Sequence, residues 1–303
     1  MSAPDPGVAA VVAEAAGPVT GRAASLWGDA WQDLRRRRLF WACTAELTLV
    51  TVMAAFPRLF TSRGANEGCD PNLAKLGPSG AHWFGTDVAG CDYFAHVVHG
   101  ARPTLLIGIA VTAFATLIAV VLGTLSGYYG GLLDTVVARL TDVFFGLPFV
   151  LGATVILVAF PGHGVGAMTL VLVLLGWTTM IRIMRGQVIA VRSADYVQAA
   201  RLLGASDARI MRRHILPNAI APVIVVATLS VGNVISGEAT LDFLGVGLQY
   251  PQVSWGLQLN QAQSYVVDHP HLLLFPAVFL SATVLALLLL GDAVRDALDP
   301  KLR

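Results

Sequence analysis

Six apolar runs dominate this chain, at residues 39–56, 104–127, 143–160, 167–184, 220–237 and 272–290. Each comes close to the ~20 residues with which a helix crosses the hydrocarbon core of a bilayer. Inside that core every backbone N–H and C=O needs a partner within the protein, so runs of this length read as helices. Composition agrees, since 55% of the 303 residues are hydrophobic and only 13% are charged. A soluble domain carries roughly twice that charged share. The expected fold class is an all-α polytopic membrane protein with six transmembrane helices.

Lysine and arginine orient the crossings, because cytoplasmic loops hold them in excess. With the first crossing starting inside, only Arg58, Arg63, Lys75 and Arg102, 4 of the 20, fall in external segments. The other 16 lie in the N-terminal tail, the 128–142 and 185–219 loops, the inner helix ends or the C-terminus. Both termini are therefore expected in the cytoplasm. Residues 1 to about 25 lack the early basic cluster of a cleaved signal peptide and read as a flexible tail. Arg35, Arg36, Arg37 and Arg38 then hold the first run as an uncleaved anchor. The expected divisions are a tail (1–38), a first anchor (39–56), an external segment (57–103), a core of five crossings (104–293) and a cytoplasmic tail (294–303).

One stretch breaks the apolar pattern. Residues 195–218, DYVQAARLLGASDARIMRRHILPN, form a polar, basic island between two crossings. The spacing predicts a short amphipathic helix with Tyr196, Ala200 and Leu203 on one face, then a second helix closed by Leu216 and Pro217. Gly204 suits the left-handed residue after a helix end, and Ser206 the N-cap of the next helix. Adjacent Ala199 and Ala200 keep the first helix thin enough to enter another protein's groove. Arg201, Arg209, Arg212 and Arg213 offer contacts to such a partner or to lipid headgroups.

Elsewhere, a short surface helix is expected around 92–99, and Arg139 and Asp142 are spaced for an ion pair. Trp255, Tyr250 and Tyr265 suit a headgroup interface. Cys69 and Cys91 share the external, oxidising segment, which favours a disulfide over two free thiols, whereas Cys43 reads as packing. A bridge would close a loop of ~20 residues and contribute about 3 kcal/mol. Glu46 sits within the first crossing, where a carboxylate is costly and needs a partner or a proton. Glu238 and Asp242 are candidates for a polar pathway or gate, or alternatively for fixing the turn into the external loop. His96/His99 and His269/His271 read as surface or cap residues, and no metal site is expected, since one would need more convergent ligands. Pro148, Pro217 and Pro222 fall at helix starts, and Pro276 is expected to kink the last crossing.

The island resembles the EAA loop of binding-protein-dependent ABC importer permeases. Gln198, Ala199 and Ala200 occupy the Glu-Ala-Ala places, followed by Gly204 and then Ile215, Leu216 and Pro217. The similarity extends to HWFGTD (82–87), GAR (100–102), GYYGG (127–131), RHILPN (213–218), EATLDFLGVG (238–247), SWG (254–256) and LLGDAVRDALDPKLR (289–303). Together these are similar to the dipeptide/oligopeptide/nickel subfamily, in its DppC/OppC-like branch. Two departures stand out: Gln198 in place of the name-giving Glu, and Cys91 where the branch usually has Arg.

The resemblance implies a type I importer permease (MetI-like) fold in a bacterial cytoplasmic membrane. It implies one half of a translocation pathway for dipeptides or oligopeptides, shared with a second permease. It also implies two cytoplasmic ATPases and an external substrate-binding protein as partners. Tyr196, Gln198, Ala199, Ala200, Leu203, Gly204, Ala205, Ile215, Leu216 and Pro217 would then form the ATPase-coupling site. The chain contains no G-x-x-x-x-G-K-[ST] phosphate-binding loop. It is not expected to be an enzyme or to hold a cofactor, and ATP with Mg²⁺ would belong to the partners. A permease for nickel, glutathione or another small solute is the nearest alternative. A stand-alone channel or ion-coupled carrier would need ionisable residues along several crossings, and outside Glu46 there are almost none. The net charge of +1 argues neither for nor against a nucleic-acid partner, and none is expected.

Overall fold

The computed structural model describes residues 26–159, 162 and 164–298. The expected tail over 1–25 and the last five residues lie outside the described residues. The described residues are almost wholly helical and contain no strand beyond an isolated bridge between Thr86 and Asp92. In chain order the helices are α1 (Leu26–Leu34), α2 (Arg38–Ala55), α3 (Tyr93–Tyr129), α4 (Gly131–Gly146), α5 (Phe149–Ala159) and α6 (Val165–Arg192). Then come the short α7 (Asp195–Leu202), α8 (Asp207–Ile210) and α9 (Leu216–Ala219), the long α10 (Ala221–Phe243), α11 (Trp255–Ala262), and α12 (His271–Leu298).

Helices α2, α3, α6, α10 and α12 are each long and apolar enough to cross a membrane. A sixth candidate span is made by α4 and α5 together, bent by 90°. The run at 143–160 is therefore no straight helix. Leu147 is extended (φ −80°, ψ 126°), because the ring of Pro148 disfavours helical backbone in the residue before it. Pro148 then starts α5, its carbonyl accepting from the Gly152 N–H at 2.9 Å.

The two ends of α3 frame the rest of the molecule. Asp92 caps its start, accepting from the Ala95 N–H at 3.0 Å. The helix continues through Pro103 and a π-helical turn at Ala119–Gly123 to Tyr129. The expected surface helix at 92–99 is thus the buried first part of a crossing, with Tyr93, Val97 and Val98 inside. Its cover is α11: Trp255 Nε1 donates to the Val97 carbonyl at 2.9 Å, and Gln258 Nε2 to the His96 carbonyl at 2.9 Å. Trp255, expected at the headgroup level, is fully buried instead, because its one polar atom finds a partner inside.

Helix α3 packs on α6 and α10, and α12 packs on α10 and α2. Small residues set these approaches, as close helix packing in membranes requires. A Cβ on Gly108 would stand 2.6 Å from Ile235, and one on Gly127 2.9 Å from Val188. Pro276 stays inside α12. It has no N–H for the Leu272 carbonyl four residues back, and the Tyr93 hydroxyl donates to that carbonyl. The costly Glu46 of α2 receives a hydrogen bond from Thr283 of α12 at 3.1 Å, so its partner lies within the chain. Next to this seam Arg37 pairs with Asp296 at 3.0 Å.

Candidate functional site

The polar island folds as a helix, a tight reversal and a second helical stretch. At its start Gln198 Nε2 donates to the Arg192 carbonyl at the end of α6, 3.1 Å away. At the end of α7 Gly204 adopts φ +80°, a conformation a side chain disfavours. Its N–H reaches the Arg201 carbonyl at 3.0 Å, and the Ala205 N–H reaches that of Ala200 at 3.1 Å. These two bonds make a Schellman motif, which satisfies carbonyls that a helix end leaves orphaned. Ser206 stands at the N-cap of α8 in extended conformation, but its hydroxyl makes no cap bond. A π-helical turn, Met211–Ile215, and α9, with Pro217 in its first turn, complete the element.

The island is anchored from both of its helical parts, while Tyr196 and Leu203 stay outward. Val197, Ile210, Ile215 and Ala219 are fully buried, against Trp177, Met180, Met184 and Val188. Tyr196 and Leu203 point outward, Ala200 is half-buried, and Ala199 is exposed. Ala205 and Leu216 pack partly against the buried cluster, and Pro217 is exposed. Periodicity separates the two faces of a helix but does not say which one turns inward. The most exposed apolar side chains here are Leu202 and Leu203, at 89% and 88%. Leu202 went unnoticed in the sequence, where a leucine pair just before a glycine cap is the only sign of it.

A set of polar contacts ties this element to the far end of α3. Tyr128 donates to Asp207 at 2.6 Å, and Arg201 donates to the Tyr128 hydroxyl at 3.3 Å. Arg192 donates to the Tyr128 carbonyl at 2.6 Å. Beside them Arg185 binds Asp134 through two nitrogens, and Ser126 donates to the same carboxylate. Tyr128 and Asp207 lie 79 residues apart, so no local pattern announced the contact. Asp142, expected to pair with Arg139, is closer to Arg182, at 2.9 Å against 3.9 Å. Arg209, Arg212 and Arg213 line an open, basic groove with Ser206 and Ala208.

Glu238 and Asp242 lie at the opposite end of the molecule, one turn apart on α10, which extends through both to Phe243. Both are fully buried. Asp242 accepts from the Leu248 N–H at 2.6 Å and from the Ser254 hydroxyl, and Ser254 in turn caps α11. Asp242 thereby fixes the turn that follows α10, and Gly247 is needed there because a Cβ would strike its carboxylate. Cys69 and Cys91, near the start of α3, are joined by a disulfide.

Comparison with known proteins assigns this arrangement to a family. Residues 119–303 match the model of the binding-protein-dependent transport system inner membrane component. Residues 25–74 match the N-terminal TM domain of oligopeptide transport permease C. The dipeptide transport system permease protein DppC of Bacillus subtilis (strain 168) is 39% identical over 91% of this chain and 86% of its own length. The oligopeptide transport system permease protein OppC of the same strain is 36% identical over 94% and 93%. The glutathione transport system permease protein GsiD of Pectobacterium atrosepticum is 35% identical over 91% and 92%. Among solved structures, the MetNI methionine ABC transporter shares the fold with a TM-score of 0.55, at 20% identity, over 67% of this chain and 96% of that one. An amino acid ABC transporter solved with histidines does so at 0.52, with 18% identity, over 66% and 92%. This multi-pass membrane chain belongs to the binding-protein-dependent transport system inner membrane components, as a permease subunit of the dipeptide and oligopeptide type.

Proposed function

We propose that this chain is one of two membrane subunits of an ATP-driven importer of short peptides, and that residues 195–218 receive the force that drives it. The single observation that carries this reading is the nearly bare pair Leu202 and Leu203, held out at the end of α7 in an element anchored by Val197, Ile210 and Tyr128. Two leucines in water cost about 25 cal/mol per Å² of apolar surface, which a partner's groove would recover. The partner is a cytoplasmic ATPase, since the chain has no phosphate-binding loop of its own. Closure of that ATPase would move α7, and the Tyr128–Asp207–Arg201 contacts would carry the movement to the end of α3.

The Lys and Arg bias supports a cytoplasmic position for this end, in a bacterial inner membrane, with a binding protein docking at the other. Gln198 acts here as a clip to the end of α6, a role an amide N–H fills and a carboxylate does not. Peptides are the cargo favoured by the dipeptide and oligopeptide relatives. The glutathione relatives, at 35–36% identity, support the one alternative, itself a peptide-like solute. The test is Leu203→Asp in the reconstituted importer. Peptide uptake and transport-linked ATP hydrolysis should fall more than tenfold while the chain still reaches the membrane. Uptake at the wild-type rate would refute the coupling assignment.

A further inference from the structure

Three side chains with metal-binding chemistry meet beneath α11. Asp87, Cys91 and His96 place their ligand atoms within 4.8 Å of one another, and all three are buried, at 5%, 3% and 6% exposure. Cys69, exposed and outside that group, is tied to it by its bond to Cys91 and lines the same cavity. The local fold makes the cluster: Asp87 Oδ1 accepts from the N–H groups of Ala89 and Cys91, at 2.9 and 2.7 Å, which leaves Oδ2 facing His96. The His96 Nε2 stands 3.7 Å from that oxygen, too far for a hydrogen bond, and has no other partner among the described residues. A buried imidazole nitrogen without a partner is an expensive feature in a folded protein. It lines a cavity of about 330 Å³ with the two cysteines, Asp87 and Gln258.

We propose that the reduced form of this cluster is a site for a tetrahedral divalent metal, with Zn²⁺ chemistry, ligated by Cys69, Cys91, His96 and Asp87. Two thiolates, one imidazole and one carboxylate make a ligand set that zinc accepts at about 2.3 Å to sulfur and about 2.0–2.2 Å to nitrogen and oxygen. Those bond lengths put tetrahedral N and O ligands roughly 3.4 Å apart, close to the 3.7 Å between His96 and Asp87. The disulfide and the metal are then alternative occupants of one place. A low-molecular-weight thiol reduces the bridge: two R–SH give two protein thiols and one R–S–S–R. On binding, each cysteine loses its proton to solvent, so one Zn²⁺ enters and two protons leave, with no change in the oxidation state of the metal. The oxidised bridge takes the thiolates away and closes the site. The sequence did not suggest this cluster, since Cys69 is 27 residues from His96 and the disulfide alone accounts for both cysteines.

Co²⁺ titration of the full chain in detergent tests the proposal. Protein is reduced with a phosphine, freed of it, and titrated without air. The reduced wild type should bind one Co²⁺ per chain with near-ultraviolet thiolate-to-cobalt absorption, which one equivalent of Zn²⁺ abolishes. The oxidised chain should show no such band. His96→Gln and Asp87→Asn should each weaken binding at least tenfold, while His99→Gln, one turn from the cluster, should not. Cys69→Ser with Cys91→Ser keeps only the buried Cys43 and should lose the band entirely. No band in the reduced wild type, a band that survives the double serine change, or equal affinity in the three histidine and aspartate variants would each overturn the proposal.

Discussion

The two ends of α3 are built on opposite principles. At the Tyr93 end, polar side chains are drawn inside and fasten the backbone: Trp255 and Gln258 donate to carbonyls of α3, Asp242 holds a turn, and a disulfide closes the segment before the helix. At the Tyr129 end the apolar groups are outside, with Leu202 and Leu203 bare and the arginines of α8 and the following turn lining an open groove. The first end carries its own cover in α11. The second leaves its leucines and arginines open. In physical terms one end resists deformation and the other stores binding surface, which suits a molecule that is pushed at one end and keeps its shape at the other.

Substitutions should therefore divide by end. Trp255→Ala removes a fully buried indole and its hydrogen bond to Val97, and should cost about 3–5 kcal/mol, read as a large loss of thermal stability in detergent. Removing the bridge with Cys69→Ser and Cys91→Ser frees a loop of sequence separation 22 and should cost about 3 kcal/mol, seen as earlier unfolding on heating. Asp242→Ala leaves the Leu248 N–H and the Ser254 hydroxyl without their acceptor and should cost about 1–3 kcal/mol. Tyr128→Phe loses the donor to Asp207 and the acceptor of Arg201, about 1–2 kcal/mol, and should lower transport-linked ATP hydrolysis more than it lowers stability. A Tyr128→Phe chain that unfolds early yet transports normally would erase the distinction between the ends.

Much of this was readable in advance. The apolar windows marked the crossings because lipid leaves so few alternatives, and Gly204 marked a helix end because few residues accept its backbone. The misreadings have local causes. Pro103 looked like a boundary, but α3 runs through it under the cover of Trp255 and Gln258, which come from 150 residues later in the chain. The run at 143–160 reads as one span by hydropathy, and the helix start expected at Pro148 is where its ring turns the backbone at Leu147. Trp255 was placed at the lipid surface by its type, whereas the indole N–H found the Val97 carbonyl inside. By contrast Tyr196 and Leu203, grouped on one face by their spacing, do turn outward, and Val197 behind them faces the core.

Docking of the ATPase on the exposed end of the molecule is tested most directly by site-directed cross-linking. A single cysteine in place of Leu203, or separately of Trp83, which is 67% exposed near the other end, would be placed in a chain whose native cysteines are serine. The assembled importer would then be treated with a short cross-linker. The expected result is an adduct with the ATPase subunit from Leu203→Cys and none from Trp83→Cys. An ATPase adduct from Trp83→Cys, or none from Leu203→Cys in a complex that still hydrolyses ATP, would contradict it.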